Sequence, residues 1–360
     1  MFPPFPIRLL AIPVVLVLAV AWAIASAADA PADYPEADLL ATAEWLEAHS
    51  DEPGLVVADV RNDEHFHGEV IPGAIRMPWG QFRSTDPLVG AAGVFVGVNR
   101  AQELLGEHGI QRTDSVVLYD SVERDGGATA SYVFWVLDFL GHEDVKVLDG
   151  GIDAWKRAGL ETSSELAERD AVVYQAPPEE LDRTARIDGR ELRERLGDRH
   201  YQILDVRSRD EYLGETPNAD WQGRALKLGH VPGAYNLNYQ RNWIDPETKL
   251  LKSYDELQQM YAGLDPSEAV ITYCHSGRRS SHTYFVLRLM GFADVRLYDY
   301  SWSQWGKKSL FYPVETKENP LAGPAPDAVS MADRQEQRQR HPAGGAAEAG
   351  GGSGYISCGG

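Results

Sequence analysis

The chain reads twice, and that repeat constrains its fold more than any other feature. The first half carries Leu55-Val56-Val57-Ala58-Asp59-Val60-Arg61, and the second carries Gln202-Ile203-Leu204-Asp205-Val206-Arg207. Each is a short apolar strand that ends in Asp-Val-Arg. Val70-Ile71-Pro72-Gly73-Ala74 is matched by His230-Val231-Pro232-Gly233-Ala234, and Ser115–Asp120 by Ala269–Cys274. A helical apolar run follows in both halves, Ala130 to Leu140 and Thr283 to Met290. Gly141 and Gly291 stand where a helix would stop. A further strand comes next, at 145–149 and 295–299, and then a helix start marked by Trp155 or by Trp302 and Trp305. The spacing between matched segments varies, but their order does not.

Strands alternating with helices predict an α/β protein of two similar domains, each a parallel-rich sheet flanked by helices. The domains span 36–160 and 187–316. Residues 161–186, charged and bearing Pro177-Pro178, read as the linker between them. Residues 321–360 turn to Gly, Ala, Pro, Gln and Arg and read as a disordered Gly-rich tail. A length of 360 residues suits two domains. The formal charge of −20 excludes non-specific nucleic-acid binding, which needs a basic surface. It leaves room for a small anion at a local cationic loop.

The N-terminus reads as a signal peptide, residues 1–27. Arg8 is the only charge in the first 28 residues. An apolar run from Leu9 to Ala25 leads to Ala25-Ser26-Ala27, a small-x-small cleavage site. The run is short for a membrane span and is broken by Pro13. The expectation is a periplasmic or secreted protein with no stable membrane insertion after cleavage; an uncleaved anchor is the alternative. The chain has only two cysteines, Cys274 and Cys358. One lies in a dense motif and the other near the end of the Gly-rich tail, so a fixed bridge between them is not expected. A lone thiol in an oxidising compartment suits a reactive residue better than a structural one.

The dense motif is Tyr273-Cys274-His275-Ser276-Gly277-Arg278-Arg279-Ser280-Ser281-His282-Thr283, set between a buried strand and a helix. Such a turn aims several backbone N–H groups into one concavity, and the helix dipole adds partial positive charge. Gly277 permits a loop dihedral that other residues resist. Arg278 and Arg279 read as two further positive charges. All three effects favour the thiolate, the nucleophilic form of cysteine. In the first half Asp120 stands where Cys274 stands, and its loop, Ser121–Gly127, is longer and more acidic.

At these residues the chain resembles the rhodanese family, and within it the tandem-domain thiosulfate sulfurtransferases of bacteria. The resemblance covers roughly 36–316. It rests on the Asp-Val-Arg strands, Gly229–Ala234, the Cys274 loop, Arg279-Ser280-Ser281-His282-Thr283, and Asp299-Tyr300-Ser301-Trp302-Ser303-Gln304-Trp305-Gly306. Tyr300 departs from the family, which usually has Gly there. The resemblance implies that the second domain is catalytic and the first is not. Cys274 would take the outer sulfur of a small anionic donor such as thiosulfate as a persulfide. A thiol, cyanide or protein acceptor would then remove it. His275, Ser276, Gly277, Arg278, Arg279 and Ser280 would hold the substrate, with no cofactor and no metal. Asp205 and Arg207 read as a supporting ion pair near the site. Trp243, Trp302 and Trp305 are candidates for the pocket wall or for the core. Glu211 occupies a position that is basic in vertebrate-type rhodaneses.

Four other readings compete. A Cys-dependent phosphatase uses a Cys-x5-Arg loop, whereas Arg279 lies five positions after Cys274 and Ser280 takes the sixth. Enzymes that use 3-mercaptopyruvate usually carry a smaller, less cationic loop after the cysteine. A non-turnover sulfur carrier or relay is suggested by Cys358, because a flexible tail of roughly 40 residues reaches on the order of 30–40 Å and could bring that thiol to Cys274. A metal site at Asp63-Glu64-His65-Phe66-His67 lacks a second ligand cluster.

Overall fold

The computed structural model describes residues 34–321. Residues 1–27, read above as a signal peptide, Cys358 and nearly all of the tail lie outside the described residues.

The apolar runs of each repeat become the middle of a parallel sheet. The first half runs β1 (Leu40–Ala41), α1 (Ala43–His49), β2 (Leu55–Asp59), β3 (Ile75–Arg76), β4 (Arg83–Asp86), β5 (Ala91–Phe95), α2 (Val98–Glu107), β6 (Ser115–Tyr119), α3 (Ala128–Phe139), β7 (Val145–Leu148) and α4 (Gly151–Arg157). The second runs α5 (Gly189–Glu194), β8 (Tyr201–Asp205), α6 (Arg209–Leu213), β9 (Tyr235–Asn236), α7 (Tyr254–Met260), β10 (Ala269–Tyr273), α8 (Arg278–Leu289), β11 (Val295–Leu297) and α9 (Ser301–Trp305). The sheet orders are β1-β7-β6-β2-β3 and β11-β10-β8-β9, with every pair parallel. Strands β4 and β5 form a separate antiparallel pair. Strands covered on both faces read as continuous apolar runs, as β2, β6, β8 and β10 do. Asp59 pairs in register with Tyr119, and Asp205 with Tyr273, so the halves share one alignment. The α/β class with two parallel-rich domains is what the structure has.

Asp120 and Cys274 each follow the last residue of a central strand, β6 or β10. They therefore sit at the carboxyl end of a parallel sheet, where open α/β proteins bind ligands. The helices that begin just beyond them, α3 and α8, pack against each other across the halves. The rings of Phe134 and Phe285 meet edge to face at 4.9 Å, and Arg288 pairs with Asp138 at 2.6 Å. Helix α3 is apolar nearly all round, which only a helix buried on every side can afford. Two reciprocal bonds close the clasp. Leu251 N–H donates to Asp149 of the first half at 3.1 Å, and Phe95 N–H donates to Asp299 of the second at 2.6 Å.

The stretch 161–186 is not a slack tether. Ser163 and Val70 exchange backbone bonds at 2.8 Å, Ala167 N–H reaches Ala74 O at 2.9 Å, and Val172 N–H reaches Gly106 O at 2.9 Å. It lies along the first half because the backbone groups of 70–74 and 106 there accept it. Side chains add to the hold: Arg169 pairs with Asp114 at 2.7 Å, and the hydroxyl of buried Tyr174 meets His142 at 3.0 Å.

Candidate active site

The loop after β10 is short, and its backbone is pinned from behind. Gly277 has φ 85°, and a Cβ there would lie 2.5 Å from Asp299 Oδ1, so only glycine fits. The Ser301 hydroxyl accepts from Cys274 N–H at 3.1 Å and Gly277 N–H at 3.2 Å, and donates to Tyr298 O at 2.7 Å. Ser301 itself has φ 51°, a costly conformation for a non-glycine residue, held by these three bonds. Trp302 N–H donates to Cys274 O at 3.0 Å and Ser303 N–H to His275 O at 2.8 Å. From the first half, the Arg83 guanidinium donates to Ser276 O. Cys274 is 1% exposed and forms the floor of a cavity of about 450 Å³. Its Sγ lies 3.4 Å from Ser280 Oγ.

His275, Ser276, Arg278 and Arg279 line that cavity with Cys274; Gly277 and Ser280 are buried behind it. The two arginines are not free charges, which corrects the simple reading of the motif. Arg279 makes a two-pronged contact with Glu211 at 2.8 and 3.1 Å. Burial disfavours both charges, but the mutual hydrogen bonds outweigh it. Arg279 is raised, and Glu211 is pulled down to about 2. Glu211 is held from its other side as the N3 residue of a capping box with Ser208 on α6. Arg278 is paired with Asp125, from the first half, whose other oxygen accepts the Tyr239 hydroxyl at 2.8 Å. Burial, with Arg124, Arg83 and Arg279 nearby, pushes the Arg278 guanidinium below its usual value. Burial and then Arg279 also lower His275, favouring the neutral ring. The net side-chain charge of the wall is close to zero. What the wall leaves to receive a bound anion is therefore the set of backbone N–H groups at the start of the 12-residue helix α8.

Asp205 and Arg207 lie beneath the site and do not line the cavity. They bond at 2.6–3.1 Å, fully buried, with the Tyr273 hydroxyl on Asp205 at 2.6 Å and Gly229 O accepting from Arg207 at 2.8 Å. Asp59 and Arg61 repeat the arrangement in the first half. Trp302 and Trp305 are core, each donating its indole N–H to a backbone carbonyl, and Trp243 is buried outside the cavity wall. Tyr300 donates to Asp86 at 2.8 Å across the halves and stays off the cavity wall.

The equivalent place in the first half is full. The Asp120 carboxylate accepts from Gly127 N–H at 2.9 Å, from Thr129 N–H and Ala130 N–H at 3.1 Å each, and from the Thr129 hydroxyl at 2.6 Å. A carboxylate carried by the chain takes the position of a bound anion at the N-terminus of α3. No carboxylate stands in the equivalent position before α8.

The rhodanese-like domain model matches residues 42–158 and again 188–308. This chain belongs to the rhodanese family. A Corynebacterium glutamicum thiosulfate sulfurtransferase is 33% identical over 292 residues, 80% of this chain and 93% of that protein. A Saccharopolyspora erythraea protein, provisionally named thiosulfate sulfurtransferase, is 35% identical over 287 residues, 78% and 97% of the two chains. Among solved structures, the anaerobic ergothioneine biosynthesis enzyme of Chlorobium limicola with its substrate trimethyl histidine superposes with TM-score 0.65 at 24% identity, covering 80% of this chain and 72% of that one. A variant of EanB carrying a cysteine persulfide with ergothioneine gives TM-score 0.69 at 25% identity, with the same coverage.

In this rhodanese, the cavity also uses residues that the motif could not reveal. Asp125, Asn218, Ala219 and Tyr239 line it, and Arg83 and Ser301 fix its floor. Only the acidic loop after Asp120 and the Asp299–Gly306 segment, which holds Ser301, hinted at any of them. The side chains of the Asp63–His67 stretch are engaged within the first half instead: His67 and His65 face Glu123 at 2.8 and 3.5 Å, and Glu64 pairs with Arg124. Among the described residues no group of three or more His, Cys, Asp or Glu is placed to hold a metal ion.

Proposed function

We propose that this sulfurtransferase takes sulfane sulfur from thiosulfate as a persulfide on Cys274 and passes it to a thiophilic acceptor outside the cytoplasm. The observation that carries this reading is the contrast at the two helix starts. One anion cradle is filled by the Asp120 carboxylate; the other presents Cys274 Sγ to a cavity. The thiolate attacks the outer sulfur of thiosulfate, a new S–S bond forms, the old one breaks, and the electron pair leaves with sulfite. The negative terminal sulfur then sits before α8, where backbone N–H groups stabilise it. An acceptor nucleophile, cyanide or a thiolate, takes that sulfur and the electron pair returns to Cys274. Relatives named for thiosulfate, and the cysteine persulfide seen in EanB, support the same chemistry. The export signal read at residues 1–27 supports the location.

The test is to incubate the mature chain with thiosulfate, then cyanide, and measure thiocyanate and sulfite in equal amounts. Cys274→Ser should give none while keeping the native melting curve. Preference for 3-mercaptopyruvate over thiosulfate would replace the donor. One sulfur released per chain without turnover would make the protein a carrier.

A further inference from the structure

We propose that Asp125, supplied by the half without a nucleophile, determines how the catalytic pocket discriminates between sulfur donors of different charge. This rests on the reading of that pocket as the sulfurtransferase site. Between Asp120 and the cap of α3 the chain runs from Ser121 to Gly126, whereas only His275 and Ser276 separate Cys274 from Gly277. The extra length is not loose. The Lys249 ammonium, from the catalytic half, donates to Val122 O and, at 3.1 Å, to Arg124 O. Its stem fills the space beside Gly126, where a Cβ would lie 2.5 Å from Lys249 Cδ. Lys249 has φ 51°, a conformation that a non-glycine residue keeps only when its surroundings impose it.

The pinned loop delivers one carboxylate into the other half's pocket. Asp125 contacts Arg278 through one oxygen and accepts the Tyr239 hydroxyl at 2.8 Å through the other, with its side chain 15% exposed. The other guanidiniums acting on Arg278 are those of Arg124, Arg83 and Arg279, and Arg279 is already matched by Glu211. Arg124, 3.8 Å from Asp125, is answered by Glu64, so Asp125 is the carboxylate on this wall that answers Arg278. Removing its charge should favour a doubly charged donor by twice the electrostatic free energy gained by a singly charged one. In a half-enclosed cavity that is about tenfold for the dianion and about threefold for the monoanion.

The experiment uses the full chain with Cys358→Ser, so that Cys274 is the single thiol. Its alkylation rates by anionic iodoacetate and neutral iodoacetamide are compared; the two reagents differ in charge and hardly in size. Asp125→Asn should raise the iodoacetate-to-iodoacetamide ratio about threefold. Arg278→Gln should lower it, the double variant should return it near wild type, and Asp125→Glu should keep it. The kcat/KM for thiosulfate relative to 3-mercaptopyruvate should rise in Asp125→Asn in parallel. An unchanged alkylation ratio in folded Asp125→Asn overturns the proposal. If that variant does not fold, Lys249→Met, which frees the loop from outside the pocket, must raise the ratio, and no change there overturns it equally. Alkylation needs no sulfur transfer. A wild type inert to both donors would therefore sink the sulfurtransferase reading, while the alkylation ratio still decides the role of Asp125.

Discussion

Asp120 and Cys274 follow matching strands and precede matching helices, yet one is locked by its own chain and the other opens on a cavity. The first turn of a helix has N–H groups with no partner inside the helix. When a half gives up its nucleophile, those groups still need an acceptor, and a carboxylate one methylene from the backbone supplies it. The first half thus keeps the scaffold and fills its own cradle. The second opens its cradle on a cavity, where the proposed function places the anion of the substrate.

Three measurements can break or sharpen that contrast. The largest effect is expected at the shared scaffold. Asp59→Asn and Asp205→Asn each leave a buried arginine without its counter-charge, at a cost of about 3–5 kcal/mol in either half. Urea unfolding should show similar losses for both, and a cost under about 1 kcal/mol at either would mean the pairs are not equivalent. Next comes the filled cradle. Asp120→Ala removes the acceptor of three backbone amides and a hydroxyl and should cost about 2–3 kcal/mol, with kcat for sulfur transfer unchanged per folded molecule. A lost kcat with intact folding would show that the first half takes part in the chemistry.

The smallest effect separates the two packed helices. His282 on α8 is fully buried, and burial pushes its ring down to about 3, from 6.5. At the matching place α3 has Tyr132, which does not titrate in this range. The unfolded chain binds a proton at His282 below pH 6.5 and the folded chain does not, so stability is full above that pH and falls as pH drops toward 3. Between pH 7.5 and 5.5 the loss is about 1.4 kcal/mol. His282→Phe should flatten that limb relative to wild type. Parallel pH curves for the two proteins would place the titration elsewhere.

The architecture was legible because the repeat records it. Asp59 and Asp205, Gly73 and Gly233, and Asp120 and Cys274 mark the same points in two copies of one fold, and the family matches agree. The reactive loop was legible because its residues are adjacent. The charge balance of the pocket was not, because Arg278 and Arg279 are answered by residues far away in the chain, Asp125 and Glu211, and no local pattern links them. The apolar runs from Ala130 and Thr283 begin inside helices that start at Ala128 and Arg278, because the polar residues of the first turns break the apolar period; for α8 only the resemblance, through Arg279–Thr283, marked the opening. The stretch 161–186 read only as the linker because the groups that hold it along the first half, the backbone of Val70, Ala74 and Gly106 and the Asp114 carboxylate, lie far away in the chain.

The grip of Lys249 on the 121–126 loop has an evolutionary consequence. A half that has lost its nucleophile would ordinarily be free to drift, keeping only its core. Here part of the cavity wall around Cys274 is borrowed from it through a loop that the second half itself holds. If Asp125 sets donor choice as proposed, selection on that choice reaches into the half without a cysteine, and positions 125, 249 and 278 should change together.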